Sequence, residues 1–219
     1  MGQAIEIRTA DGTPFDIYTA GPEDASRGVM ILHEWWGVMP HNIDWANRLA
    51  DEIGCQAIVV DLYDTRVTDD PEVASAWMRE IDQALADAKL MAALEWLERP
   101  GRKLATYGCS FGGKQSMQAS LLAPGKISAT AVAYCRMETD VGKLSTLQGP
   151  VLAIYAEQER TMPEKRENFE AAMGAAGKQA EAVSFDAAHG FTNPTSPRYD
   201  AEADKQAWAA LVAFLQRNL

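Results

Sequence analysis

The chain has 219 residues, of which 47% are hydrophobic and 23% are charged, with 16 Gly and 10 Pro. This composition is typical of a globular protein with a substantial core, and it excludes collagen-like, low-complexity and fully disordered proteins. The formal net charge of −11 excludes nucleic acids and anionic membranes as partners unless a basic patch is present, and the sequence contains no such patch.

The first residues of the chain lack the basic start and apolar block of a secretory signal. Every apolar run is also far shorter than the roughly 20 residues that a membrane helix needs. The three cysteines, Cys55, Cys109 and Cys135, form no CxxC pair, so they indicate neither a disulfide framework nor a zinc site. We therefore expect a cytoplasmic protein with reduced thiols, present as a monomer or a small homo-oligomer.

The predicted elements alternate along the chain. Short strands at 5–8 and 15–18 flank Asp11-Gly12, a pair that favours a tight hairpin turn. Further strands are predicted at 28–32, 55–60, 103–107, 127–134, 150–155 and 180–185. Helices are predicted at 42–54, 71–98, 114–123, 163–176 and 203–219, and the second of these leaves room for one break. This pattern predicts one α/β domain over 1–219, with a mostly parallel central sheet and helices on both faces.

The run Gly108-Cys109-Ser110-Phe111-Gly112 is a G-x-S-x-G motif between a predicted strand and a predicted helix. Its glycines allow a sharp turn, so Ser110 should project at the carboxyl end of the sheet, where α/β proteins bind ligands. The helix that follows directs its first amides, including that of Phe111, toward the same point, where they can stabilise an oxyanion. This context favours a nucleophilic serine over a plain loop.

A nucleophilic serine needs a histidine base, which a carboxylate orients. Of the three histidines, His33 and His41 precede Ser110, whereas His189 follows the last predicted strand. The chain order of nucleophile, acid and histidine in this kind of fold favours His189. The loop after strand 150–155 offers two acids, Glu157 and Glu159, and their spacing does not distinguish them.

Four motifs, in their order along the chain, resemble those of the dienelactone hydrolase family, which consists of small α/β-hydrolases without a lid. They are His33-Glu34-Trp35-Trp36-Gly37, Gly108-Cys-Ser-Phe-Gly-Gly113, Ala156-Glu-Gln-Glu-Arg-Thr-Met-Pro163 and Ala188-His-Gly-Phe191. The resemblance spans nearly the whole chain and implies the α/β-hydrolase fold. The third motif is similar to the family's G-x-x-D-x-x-x-P, which aligns its acid with Glu159. The resemblance thus implies a triad of Ser110, Glu159 and His189.

The chain departs from the family pattern at two positions of this triad. Family members typically have cysteine at the elbow, where this chain has Ser110, and we interpret the preceding Cys109 as a buried small residue. A shifted elbow with Cys109 as the nucleophile is the alternative. The acid is glutamate rather than aspartate, which is longer by one methylene and chemically equivalent.

Glu34 directly follows a buried strand, where a carboxylate needs a partner. In the family, the matching glutamate contacts the resting nucleophile. Here Glu34 is expected either to accept a hydrogen bond from Ser110 or to brace the loop formed by Trp35, Trp36 and Gly37. The backbone N–H of Trp35 is the expected second oxyanion donor, beside that of Phe111.

The resemblance also suggests residues that bind the substrate. The family holds a substrate carboxylate with arginines, and one of these positions aligns with Asn193, so this clamp is at least partly missing. Arg136 and, less favourably, Arg79 are candidate replacements. Trp35, Trp36, Tyr134 and Phe191 lie near the predicted cleft and suggest a partly aromatic pocket, with core packing as the alternative.

Together these features predict a hydrolase of small esters or lactones that works through an acyl-enzyme. The chemistry needs neither a cofactor nor a metal, and the spacing of His33, Glu34 and His41 matches no metal site. A length of 219 residues leaves no room for a lid, which favours small and accessible substrates. The alternatives are a non-catalytic binding protein of the same fold, or a thioesterase or peptidase.

Overall fold

A computed structural model describes residues 2–159 and 164–219, and in these residues eight strands form one sheet with helices on both faces. The strands are β1 (Gln3–Arg8), β2 (Pro14–Ala20), β3 (Arg27–Leu32), β4 (Gln56–Val60), β5 (Lys103–Cys109), β6 (Ile127–Ala133), β7 (Val151–Ala156) and β8 (Ala180–Phe185). The helices are α1 (Pro40–Ile53), α2 (Pro71–Glu80), α3 (Gln83–Leu97), α4 (Phe111–Leu122), α5 (Val141–Ser145), α6 (Lys165–Ala175) and α7 (Ala201–Asn218).

The strands lie in the order β1-β2-β4-β3-β5-β6-β7-β8. The β1–β2 hairpin is antiparallel, as the Asp11-Gly12 turn predicts, and β2 is also antiparallel to β4. All other neighbouring pairs are parallel. Parallel strands end at the same edge of a sheet, so the segments that follow β3, β5, β7 and β8 can meet there.

The buried strands explain why the sheet is covered on both faces. Every residue of β4 and of β7 is buried, and the strands are apolar almost throughout, which is typical of parallel strands packed on both sides. Helices α1 and α7 pack on one face, and α3, α4 and α6 pack on the other. The predicted fold class is confirmed.

Several boundaries differ from the prediction for local reasons. The helix predicted at 71–98 is broken, because the Asp82 carboxylate accepts from the first amides of α3 and caps a new helix there. Helix α4 begins at Phe111, directly after the elbow, rather than at residue 114. Helix α5, capped by Asp140, is too short to produce a periodic pattern. The predicted helix start at Pro163 lies outside the described residues.

Helix α2 is attached to the rest of the protein by little buried surface. Ala74 is its one buried residue, although the Trp77 ring packs edge-on against Tyr63. None of the described helices is both long and apolar enough to cross a membrane.

Candidate active site

Ser110 stands on a sharp turn between β5 and α4. Its φ of 54° lies in a region that side-chain-bearing residues rarely adopt. Two glycines make the turn possible: a Cβ on Gly108 would lie 2.2 Å from the Gly112 carbonyl oxygen, and one on Gly112 would lie 2.2 Å from that of Leu32. The sequence therefore places a strained serine at the carboxyl edge of the sheet, as the motif predicts.

A chain of polar contacts runs from Ser110 through His189 to Glu159. The Ser110 Oγ lies 2.8 Å from His189 Nε2, and His189 Nδ1 lies 3.2 Å from Glu159 Oε1. These three side chains come from separate segments, which follow β5, β7 and β8. The arrangement allows the imidazole to accept the serine proton while a carboxylate orients its other nitrogen.

Glu159, not Glu157, is the acid that reaches His189. Glu157 is exposed, whereas the Glu159 side chain is 6% exposed and also accepts a hydrogen bond from Lys165 Nζ. Burial raises the pKa of Glu159, but the hydrogen bonds and charges of His189 and Lys165 outweigh burial and lower that pKa to about 2. Glu159 is therefore ionised at neutral pH.

Cys109 is fully buried and directed away from the cavity. Its Sγ lies 3.2 Å from the Tyr107 hydroxyl and 3.8 Å from Thr192 Oγ1. Burial raises the pKa of this thiol to about 12, so it stays protonated. Its interpretation as a buried small residue is confirmed, and the geometry gives no support to Cys109 as the nucleophile.

The Glu34 side chain contacts His41 rather than Ser110, while its carbonyl accepts the Gly37 N–H at 3.4 Å within the loop that it was expected to brace. Its Oε2 lies 3.0 Å from His41 Nε2, with both side chains buried, while the Ser110 hydroxyl is bonded to His189 instead. Helix α1 brings His41 to this position, a contact that spacing along the sequence does not reveal. His33 is structural: its Nδ1 contacts the Glu34 carbonyl, and its Nε2 accepts the Leu62 N–H.

The two predicted oxyanion donors border the same cavity as Ser110. Phe111 is the first residue of α4, so its N–H has no partner within the helix. Trp35 follows β3, the strand next to β5, and lines the cavity together with Phe111 and Ser110. This placement is suitable for two amides that face a tetrahedral oxyanion.

The cavity around Ser110 has a volume of about 800 Å³ and is lined by both apolar and basic side chains. Trp35, Met78 and Ile81 form an apolar wall, the last two at the end of α2. Lys114, Arg136 and Arg198 line it with positive charge. In the part of the chain that the structure describes, no carboxylate pairs with any of these three cations.

Three of the residues predicted to bind substrate lie outside this cavity. Phe191 is fully buried and packs against Tyr134 and Phe185, with ring centroids 5.3 and 5.6 Å away. The Asn193 side chain is bonded to Thr195 and shapes its own loop. Trp36 packs against Trp35 rather than lining the wall. Phe191 and Asn193 are corrected because the loop after β8 folds back into the core, and Trp36 is corrected because its ring packs against Trp35 in the loop after β3.

Tyr134 and Arg136 do line the cavity, as predicted. Tyr134 also supports the site, since its ring packs edge-on against His189 at 5.1 Å and its hydroxyl is bonded to Thr192. Arg79 lies outside, in a neighbouring depression beside Trp35.

Sequence analysis missed two of the basic residues and the contribution of α2. Lys114 follows Ser110 by four residues at the start of α4, so helical spacing would have placed it near the site. Arg198 has no such signal, because it belongs to the irregular segment before α7. Within residues 2–159 and 164–219, no group of three His, Cys, Asp or Glu side chains is arranged to hold a metal ion.

Comparison with known proteins identifies the family of this chain. The model of the "Dienelactone hydrolase family" matches residues 15–219. A protein of Saccharolobus solfataricus named "Putative carboxymethylenebutenolidase" is 25% identical, and the match covers 95% of this chain and 96% of that protein.

Solved structures have the same fold. The structure titled "Putative Dienelactone Hydrolase" from Klebsiella pneumoniae is 25% identical, with a TM-score of 0.83 and 98% of each chain covered. A dienelactone hydrolase-like promiscuous phosphotriesterase from metagenomic libraries is 22% identical, also with a TM-score of 0.83, covering 99% of this chain and 98% of that one. The chain has an α/β-hydrolase fold and belongs to the dienelactone hydrolase family of hydrolases.

Proposed function

We propose that this protein hydrolyses small carboxylic esters or lactones through Ser110, His189 and Glu159. The observation that supports this most directly is the continuous chain of contacts from the Ser110 hydroxyl through the imidazole to a buried carboxylate. That chain ends in an open cavity, where an ester carbonyl can reach the hydroxyl. Membership of a hydrolase family also supports the proposal, because such a series of contacts is expected in a hydrolase.

The reaction proceeds in two stages. His189 takes the proton of Ser110 as the Oγ attacks the ester carbonyl, and the same imidazole then protonates the leaving alcohol. Water, deprotonated by His189, hydrolyses the resulting acyl-enzyme and releases the acid. Glu159 keeps the imidazole in the tautomer whose Nε2 is free to accept a proton, and it stabilises the imidazolium that forms.

The backbone amides of Trp35 and Phe111 stabilise the tetrahedral oxyanion in each stage. Removal of one such donor typically costs roughly 3 kcal/mol of transition-state stabilisation, a large share of the catalysis in acyl transfer. Because the backbone amides stabilise the oxyanion, the side chains of Trp35 and Phe111 are free to shape the cavity.

Reaction with a fluorophosphonate probe tests the proposal. The probe should label the protein stoichiometrically, and peptide mapping should find the adduct at Ser110. Labelling needs an activated serine but no knowledge of the substrate, so absence of labelling would favour a non-catalytic binding protein. An adduct at another residue would assign the nucleophile to that residue. Thioesters and short peptides, assayed beside esters and lactones, distinguish the related hydrolase classes.

The walls of the cavity suggest the substrate. Three cations that pair with no carboxylate of residues 2–159 and 164–219, beside an apolar surface, fit an ester or lactone with a small apolar body and an anionic group. Because the protein as a whole has a charge of −11, these local cations oppose the general repulsion of anions.

Arg136→Gln is therefore expected to raise KM for an ester with a carboxylate by roughly three- to tenfold, because it removes one solvated charge contact. The KM for a neutral ester of the same size should stay within about twofold. Arg8→Gln is the matched control, because this substitution removes the same charge from the edge strand β1. Arg8 pairs there with Glu6. Equal effects of Arg136→Gln on both esters would contradict an anionic substrate.

A further inference from the structure

Lys165 contacts the Glu159 carboxylate on the oxygen that His189 does not use. Lys165 Nζ donates to Oε2, whereas His189 Nδ1 lies 3.2 Å from Oε1. Each carboxylate oxygen thus has its own partner. We propose that Lys165 is a positioning residue that holds Glu159 in the orientation in which it meets His189. The inference rests on the proposed function of Ser110, His189 and Glu159.

The burial of this ion pair indicates that Lys165 has a specific role. The side chain of Lys165 is 8% exposed and that of Glu159 is 6% exposed. An ammonium group is costly to remove from water, and a surface pair of the same residues would be mobile and weak. Loss of Glu159 would leave the Lys165 ammonium buried without its carboxylate, and loss of Lys165 would remove one of the groups that stabilise the buried carboxylate, so the geometry of the pair is constrained.

The position of Lys165 determines how it can act. Glu159 and His189 line the cavity, whereas Lys165, the first residue of α6, does not. Lys165 is therefore separated from the substrate by Glu159 and acts through that residue. It is consequently a positioning residue rather than one that touches the reacting atoms.

The length of the glutamate explains why such an anchor is useful. Compared with aspartate, Glu159 has one more rotatable bond between the backbone and the carboxylate, so more rotamers are available to it. The contacts of His189 and Lys165 with the two carboxylate oxygens select one of these rotamers. Helix α6 thus supplies a fixed point for the acid, which compensates for the flexibility of a longer side chain.

The charges around Glu159 are consistent with this role. His189 and Lys165 both lower its pKa, against burial, and the thiol of the buried Cys135 lies close enough for its own pKa to be affected by the pair. Removal of the ammonium group would leave the carboxylate buried beside the imidazole and the Cys135 thiol. Glu159 would then be less firmly ionised and less firmly oriented.

Three variants test the proposal: Lys165→Met, Lys165→Arg and the double variant Glu159→Gln with Lys165→Met. Lys165→Met keeps the aliphatic stem but cannot donate, so kcat for a p-nitrophenyl ester should fall about tenfold while KM stays within about twofold. Lys165→Arg should restore most of the loss, because a guanidinium group can still donate to Oε2. In the Glu159→Gln background, Lys165→Met should change kcat by less than about twofold.

A second measurement does not depend on turnover. Titration of the Glu159 carboxyl carbon by NMR should show a pKa near 2 in the wild type and in Lys165→Arg, and a higher pKa in Lys165→Met. If no ester is hydrolysed, the proposed function fails, and this titration still decides the role of Lys165. An unchanged carboxyl pKa in Lys165→Met, or a further tenfold loss when Lys165→Met is added to Glu159→Gln, would overturn the proposal. Glu159→Gln keeps an oxygen that can accept a hydrogen bond from Lys165 Nζ, and the double variant has no charge on either side chain, so the second comparison does not depend on how well Lys165→Met folds.

Discussion

Ser110→Ala is expected to lower kcat/KM for a p-nitrophenyl ester by a factor of about 10⁴ or more. In the proposed mechanism the Ser110 Oγ forms the acyl bond, and the only change in this variant is the loss of that oxygen. The fold should persist, since alanine keeps the Cβ that the turn already accommodates and loses one hydrogen bond to a partly exposed histidine. Thermal unfolding should therefore occur within a few degrees of the wild type.

Cys109→Ala is the matched control for this variant. It removes the neighbouring side-chain heteroatom, but that thiol is buried, protonated and directed toward Tyr107 and Thr192. We expect it to retain turnover within about threefold, with some loss of stability from the small cavity. If Cys109→Ala abolishes turnover while Ser110→Ala retains it, the nucleophile is the thiol and the proposed mechanism is wrong.

Glu159→Gln should lower kcat by roughly 10³- to 10⁴-fold with little change in KM. The glutamine is similar in shape but neutral, so it cannot stabilise the imidazolium, and its NH2 group can face His189 and favour the wrong tautomer. The loss should persist across the pH range of the assay, because the native carboxyl, with a pKa of about 2, is ionised throughout it. Initial rates at saturating ester measure this effect.

Glu157→Gln makes the same change of charge two residues earlier. Glu157 is exposed and makes only a backbone hydrogen bond with Phe185 in the described part of the chain, so we expect turnover within about twofold of the wild type. Comparable losses in the two variants would show that net charge near the site matters rather than a specific contact. A larger loss in Glu157→Gln would assign the acid to that residue.

The parts of the site that could be predicted from the sequence are those set by local structure. The G-x-S-x-G run predicts the elbow because its two glycines are needed for a turn that any larger residue would block. The strand-and-helix alternation predicts the sheet, because fully buried parallel strands require apolar runs. His189 follows from its place after the last strand, and the family resemblance selects Glu159 over Glu157.

The parts that could not be predicted depend on contacts between distant segments. Glu34 meets His41 because α1 turns back over the end of β3, and no spacing rule gives that distance. Phe191 and Asn193 lie near the catalytic candidates along the sequence, but the loop after β8 turns them into the core and into its own hydrogen bonds. Arg198 likewise reaches the site only through the path of the irregular segment before α7.

Helix α2 has a consequence for how the cavity can change. Its residue Met78 forms part of the apolar wall, while Ala74 is the one residue of the helix that is buried. Most of the folding free energy therefore resides elsewhere, in the sheet and the helices packed on it. Substitutions along α2 can alter which molecules fit beside Ser110 at little cost in stability, so this helix is the natural target for directed evolution of new substrate preferences.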